Sequence, residues 1–250
     1  ITQPSCAVAT GSFTITSFES TSTYTFTPSA TVDAATGVVT LDAGETYTFT
    51  ETNAAGCESA ASADVVIDAP PATPSAPTAG AITQPSCAVA TGSFTITSFE
   101  STSTYTFTPS ATVDAASGVV TLDAGETYTF TETNAAGCES AVSSNVVIDA
   151  QPATPSAPVA GAITQPSCAV ATGSFTITSF ESTSTYTFTP SATVDAASGV
   201  VTLDAGETYT FTETNAAGCE SAVSSNVVID APPATPSAPV AGAITQPSCA

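Results

Sequence analysis

The chain has 250 residues without a single Lys, Arg, His, Met or Trp, and its 22 Asp and Glu give a formal net charge of −22. A chain with no cation cannot neutralise phosphates, which excludes nucleic acid as a partner and anionic membrane surfaces with it; no membrane insertion is expected of this segment. Without imidazole, amine or guanidinium there is no ordinary general base, Schiff-base former or oxyanion clamp, so no enzyme and no catalytic residue is expected. An apolar fraction of 42%, with 12 Phe and 6 Tyr placed periodically, separates the chain from acidic disordered sequences, which cannot bury a core.

The organisation is repetitive. Ile-Thr-Gln-Pro-Ser-Cys begins at Ile1, Ile82, Ile163 and, at the end of the chain, Ile244, so the period is 81 residues without insertion. The first two copies differ at six positions (Thr36/Ser117, Ala61/Val142, Ala63/Ser144, Asp64/Asn145, Pro70/Gln151 and Thr78/Val159), and the second and third only at Gln151/Pro232. Solenoid repeats of about 20–50 residues cannot fold singly, whereas a unit of this length can be a small domain. The spacing predicts residues 1–69 as the first repeat, without an N-terminal segment, 70–150 as the second, 151–231 as the third and 232–250 as the start of a fourth. Because the pattern begins and ends in mid-repeat, a stretch of a longer array is expected.

Within one unit the apolar residues alternate with period 2, the mark of half-buried strands. Phe13 and Ile15 alternate with Ser12, Thr14 and Thr16. Tyr24 and Phe26, and then Tyr47 and Phe49, alternate with Thr in the same way. Between them Val38, Val39 and Leu41 make a further strand, and Val65 to Ile67 the last. One face of each strand is aromatic or aliphatic and the other is Thr, which suits an exposed pleated face. Turn residues separate the strands at Thr10-Gly11, Pro28-Ser29, Thr36-Gly37, Asp42-Ala43-Gly44 and Asn53 to Gly56. Six or seven short strands predict an all-β fold: tandem immunoglobulin-like antiparallel β-sandwich repeats in an elongated array. The strand-C Trp of antibody domains is absent.

Pro-rich junctions lie near 68–81, 149–162 and 230–243, the first with Pro70, Pro71, Pro74 and Pro77. Proline removes donors and favours extended chain, which predicts a semi-rigid spacer or a first edge strand between neighbours rather than a floppy linker.

Seven cysteines stand at 6, 57, 87, 138, 168, 219 and 249, alternately 51 and 30 apart. With no CxxC and no His they do not form a zinc site; disulfides in an oxidising, exported setting fit. Counting leaves two pairings open. One joins Cys6–Cys57, Cys87–Cys138 and Cys168–Cys219 within repeats, with Cys249 paired outside the stretch. The other joins Cys57–Cys87, Cys138–Cys168 and Cys219–Cys249 between them. If Cys6 marks the start of the first strand, it shares one end of the sandwich with the hairpin at Asn53–Gly56, and the pairing within repeats is expected. No Lys is available for an isopeptide crosslink, so the disulfide is the only covalent staple.

The runs Gln3-Pro4-Ser5-Cys6, Thr10-Gly11-Ser12-Phe13-Thr14-Ile15, Leu41-Asp42-Ala43-Gly44-Glu45-Thr46-Tyr47-Thr48-Phe49-Thr50 and Asn53-Ala54-Ala55-Gly56-Cys57 resemble the repeats of very large cell-surface proteins of Bacteroidetes. They are similar in particular to mobile gliding-motility adhesins exported by the type IX secretion system. The resemblance spans about 65 residues of every 81. It implies an extracellular filament on the cell surface, attached to the outer membrane. Its partners would be an external surface or polysaccharide, reached through the full-length protein, and flanking repeats of the same chain.

The acids of a unit, among them Glu19, Asp33, Asp42, Glu45, Glu51, Glu58, Asp64 and Asp68, are scattered. Calcium at domain junctions is the one cofactor such a set suggests. No Asp-x-Asp-x-Asp loop is present and Asp64 becomes Asn145 and Asn226, so no metal site and no cofactor is assigned. The expected function is the stalk of a surface adhesin, probed against two rivals: a self-assembling surface fibre or layer, and a glycan-binding module array, whose usual Trp platform is missing.

Overall fold

A computed structural model of the chain describes residues 1–244 and 246. Alternating Thr and apolar residues become short antiparallel strands throughout, with no helix among the described residues. The first repeat holds β1 (Thr10–Thr14), β2 (Thr23–Thr27), β3 (Thr31–Val32), β4 (Val38–Asp42), β5 (Thr46–Thr52) and β6 (Val65–Val66). The second holds β7 (Thr78–Ala79), β8 (Thr91–Thr97), β9 (Thr104–Thr108), β10 (Thr112–Val113), β11 (Val119–Asp123), β12 (Thr127–Thr133) and β13 (Val146–Val147). The third repeats that set as β14 (Val159–Ala160), β15 (Thr172–Thr178), β16 (Thr185–Thr189), β17 (Thr193–Val194), β18 (Val200–Asp204), β19 (Thr208–Thr214) and β20 (Val227–Val228).

Each repeat is a sandwich of two sheets. In the second, one sheet has the order β10-β11-β8-β7 and the other β13-β12-β9. Lettered A to G in chain order, these are the D-E-B-A and G-F-C sheets of a constant-type immunoglobulin domain. The third repeat has the same two sheets. In the first repeat the order is β1-β4-β3 against β2-β5-β6. By contact, the chain divides into one compact unit of Ile1–Pro85 with Thr91–Ala150, and another of Ser86–Ala90 with Gln151–Ala250.

The core explains how the fold dispenses with Trp and an intradomain disulfide. Phe94 on β8, Phe107 on β9 and Phe130 on β12 take the places of the Cys, Trp and Cys that fill an antibody domain. Phe107 and Phe130 lie opposite each other in register and stack at 4.6 Å, while Phe94 tilts onto Phe130 at 5.6 Å. Such offset and tilted pairs suit the aromatic quadrupole. Two residues before Phe130, Tyr128 is fully buried, and its hydroxyl accepts a hydrogen bond from the Asp123 amide at 3.0 Å. This is the tyrosine corner of the fold, and Tyr47 and Tyr209 repeat it. At the turn between β10 and β11, Gly118 has φ +69° and a Cβ there would run into the Phe99 ring, so both conformation and space demand glycine.

Candidate functional site

Among the described residues no three His, Cys, Asp or Glu gather to hold a metal ion. The acids act locally instead: the Asp114 carboxylate accepts from the Ser117 hydroxyl and from the Ser117 and Ala116 amides. The Ser117 hydroxyl, then those amides, hold Asp114 below the usual carboxylate range, and Ser198 does the same for Asp195.

The distinctive chemistry sits where one repeat meets the next. Cys6 is bonded to Cys138 and Cys87 to Cys219, each across 132 residues of sequence. The expected bridges Cys6–Cys57, Cys87–Cys138 and Cys168–Cys219 are therefore not formed, nor are Cys57–Cys87 and Cys138–Cys168. Cys57 and Cys168 are exposed free thiols, and Cys249, expected to pair outside the stretch, lies outside the described residues. The reason is topological. Cys6 does not start strand A; it lies in the loop leading into the B strand, β1. That loop sits beside the end of the last strand, since the Gln3 side chain donates to the Val66 carbonyl and accepts from the Asp68 amide. Cys57 sits in the turn after β5, at the far end of a seven-residue strand that is roughly 20 Å long. The two ends of one sandwich cannot be spanned by a bond that needs Cα atoms within about 7 Å. In the first compact unit, the loop end of the first repeat instead reaches the turn end of the second, where Cα atoms of Cys6 and Cys138 are 5.3 Å apart. In the other unit the segment Ser86–Ala90 makes the equivalent bond to the third repeat, at 5.4 Å.

The Pro-rich junction is part of the domain that follows it. Its Ala72 carbonyl accepts from the Asn134 side chain at 2.8 Å, Pro77 is buried, and Thr78 and Ala79 pair with Thr97 and Ile96 as the A strand. Ala79 packs against the Phe94–Phe130 core, and the Gly80 amide donates to the Thr95 carbonyl at 2.9 Å. Gly80 is needed there because a Cβ would stand 2.8 Å from that same carbonyl oxygen. The segment before the third repeat does the same, through Asn215 and Ala153, a buried Pro158, β14 on β15, and Gly161 on Thr176. Of the two sequence expectations for this segment, the structure has the first edge strand. Its signal was in the alternating Thr78-Ala79-Gly80, which is too short to read as a strand alone.

No protein-family model matches the chain, and no curated protein does. Solved structures similar to it include the three fibronectin domains FN1–FN3 of chicken CNTN1, at 13% identity over 89% of this chain and 95% of that one, with a TM-score of 0.30. Murine CEACAM1b shares 11% over 60% and 99% with a TM-score of 0.36. Domains EC3–6 of protocadherin gammaB7 share 14% over 85% and 67%, with a TM-score of 0.34. The class assigned here, a tandem array of immunoglobulin-like sandwiches, rests on the strand order and the tyrosine corner.

Proposed function

We propose that the chain is a load-bearing stretch of an extracellular filament, the stalk of a cell-surface adhesin that serves surface attachment and gliding motility. The observation that supports this most is the interlacing of the two disulfide loops. The loop closed by Cys6 and Cys138 overlaps the loop closed by Cys87 and Cys219 along residues 87–138. A pull between Cys6 and Cys219 is then carried by residues 87–138 and two S–S bonds, and the remaining chain is held slack even when its sandwiches unfold. A tether under tension gains from such a short covalent path, which limits how far the chain extends. Disulfides persist in oxidising compartments outside the cytosol, which supports export. Gliding, the type IX route, outer-membrane attachment and a polysaccharide or other surface as the partner rest on the sequence resemblance to Bacteroidetes adhesin repeats.

Two measurements separate the parts of this reading. Stretching single chains should give a contour length that grows when a reductant is added; equal lengths with and without reductant would refute the tether. Antibodies against the repeat should decorate intact cells and move along them. Surface label that stays fixed would leave attachment standing and remove gliding.

A further inference from the structure

Away from the joints between repeats, each sandwich carries a partly exposed aromatic pair beside its C strand. In the second repeat Phe99 lies against Gly118 and stacks on Tyr105, with ring centres 5.4 Å apart. Both rings are half-buried, and they wall a pocket of about 190 Å³ together with Ser101, Ser103, Val113 and Ala115. That is smaller than the ~300–1,000 Å³ of sites for drug-sized ligands, so it admits one side-chain head or one sugar ring. The repeat builds the pocket from its own residues, and the aromatic pair recurs as Phe18–Tyr24 and Phe180–Tyr186, each at 5.4 Å.

The surroundings of the ring select the occupant. Tyr105 lies opposite Glu132 in register, and the Glu132 carboxylate accepts from the Ser103 hydroxyl at 2.8 Å. The Glu100 amide donates to the Tyr105 hydroxyl at 3.0 Å. Burial holds that hydroxyl above the usual tyrosine range, and the Glu132 and Glu100 carboxylates push the same way. The third repeat has the same bonds, from Ser184 to Glu213 and from the Glu181 amide to Tyr186. Carboxylates beside an aromatic ring, in a chain of net charge −22 with no Lys, Arg or His, set a negative potential that attracts a cation. A guanidinium answers both features, because it is planar, stacks on an aromatic face and offers only donors to the acceptors around it. Val113 and Ala115 supply the apolar wall that its methylene stem needs.

We propose that each repeat captures an arginine side chain of a basic partner protein in this aromatic pocket, with Tyr105 and its equivalents Tyr24 and Tyr186 stacking on the guanidinium. Linked copies of one weak site then raise avidity for a partner that presents several such side chains. The pocket gives the adhesin reading a class of partner, and rests on that reading for its part in attachment. Binding is measured without cells or force, so its failure leaves the reductant-dependent stretching untouched.

Of the six tyrosines, three stand in these pairs and three, Tyr47, Tyr128 and Tyr209, are fully buried at the corners, which provides an internal control. The whole chain with ring-labelled tyrosine is titrated with N-acetyl-arginine amide and followed by NMR. The ring signals of Tyr24, Tyr105 and Tyr186 should move and saturate while the corner three stay fixed. The uncharged citrulline derivative, of the same shape, should bind about tenfold more weakly for want of the cation–π contact. An arginine-rich peptide should lose about tenfold in affinity for the chain carrying Tyr24→Leu, Tyr105→Leu and Tyr186→Leu, and little for the three Phe counterparts. Both variants keep the net charge of the parent, and the titration of the unaltered chain decides the matter if the Leu variant does not fold. Signals that all stay fixed, or six that move alike, overturn the proposal. So does citrulline binding as tightly as arginine, glucose moving the same three signals, or a folded Leu variant that binds the peptide as the parent does.

Discussion

The first and second repeats have nearly one sequence, and the same residues in them are buried to different depths. In both, the segment after the F strand is held by the same bonds: Ser59 and Ser62 accept from the Glu51 and Phe49 amides, and Ser140 and Ser143 accept from the Glu132 and Phe130 amides. Yet Ser140 and Ser143 are buried and Ser59 is exposed. Likewise Cys138 is fully buried and Cys57 exposed. None of the six differing positions supplies this burial. It comes from the preceding Pro-rich segment, which caps the second repeat and not the first. A repeat in this protein is therefore finished by its neighbour, through both a strand and a disulfide.

Replacing both Cys6 and Cys138 by Ser should give the largest change. Closing a loop of this size contributes on the order of 5 kcal/mol in the chain-entropy treatment. Urea unfolding of the whole chain should show a destabilised transition of comparable size, and an unshifted transition would make the bond a mere by-product of proximity. Next, Phe130→Ala should cost about 3–5 kcal/mol, the range for a fully packed aromatic. Phe49→Ala should cost clearly less, because its ring is only partly buried; equal losses would erase the contrast between the repeats. Tyr47→Phe and Tyr128→Phe should each cost about 1–2 kcal/mol, since each leaves a corner amide without its acceptor. Here the two repeats should agree, because the corner is made within each sandwich.

The smallest effect is with acid. The carboxyls of Asp114 and Asp195 are held below their ordinary range by serine donors. A lowered folded-state value means that these turns stabilise the fold at pH above the ordinary carboxylate value of 3.8. That contribution is lost as the pH falls through the lowered one. Thermal melts from pH 5 to 2 should decline less steeply in Ser117→Ala/Ser198→Ala, which forgoes the hydroxyl bond at both pH extremes; an unchanged slope would mean the bond is not felt.

The alternation of Phe13, Ile15, Phe26, Val39, Leu41, Tyr47 and Ile67 with Thr and Ser was enough to read the strands, the sandwich and its repetition, because a period of two is a local property of the backbone. The turns at Thr36-Gly37 and Asp42-Ala43-Gly44 were legible from local sequence as well. The two-residue strands Thr31–Val32 and Thr78–Ala79 were not, since nothing local distinguishes them from loop and only a neighbouring strand makes them pair. The disulfides were misread for a related cause. The even spacing of cysteines made bonds within a repeat look natural, and only the placement of Cys6 after strand A, at the opposite end from Cys57, forbids them. Sequence by itself thus determined the unit, its faces and its acidic, cation-free surface. Which residues of one repeat complete another was decided by tertiary structure, because that depends on which ends of the sandwiches meet, a distance in space that spacing along the chain does not encode.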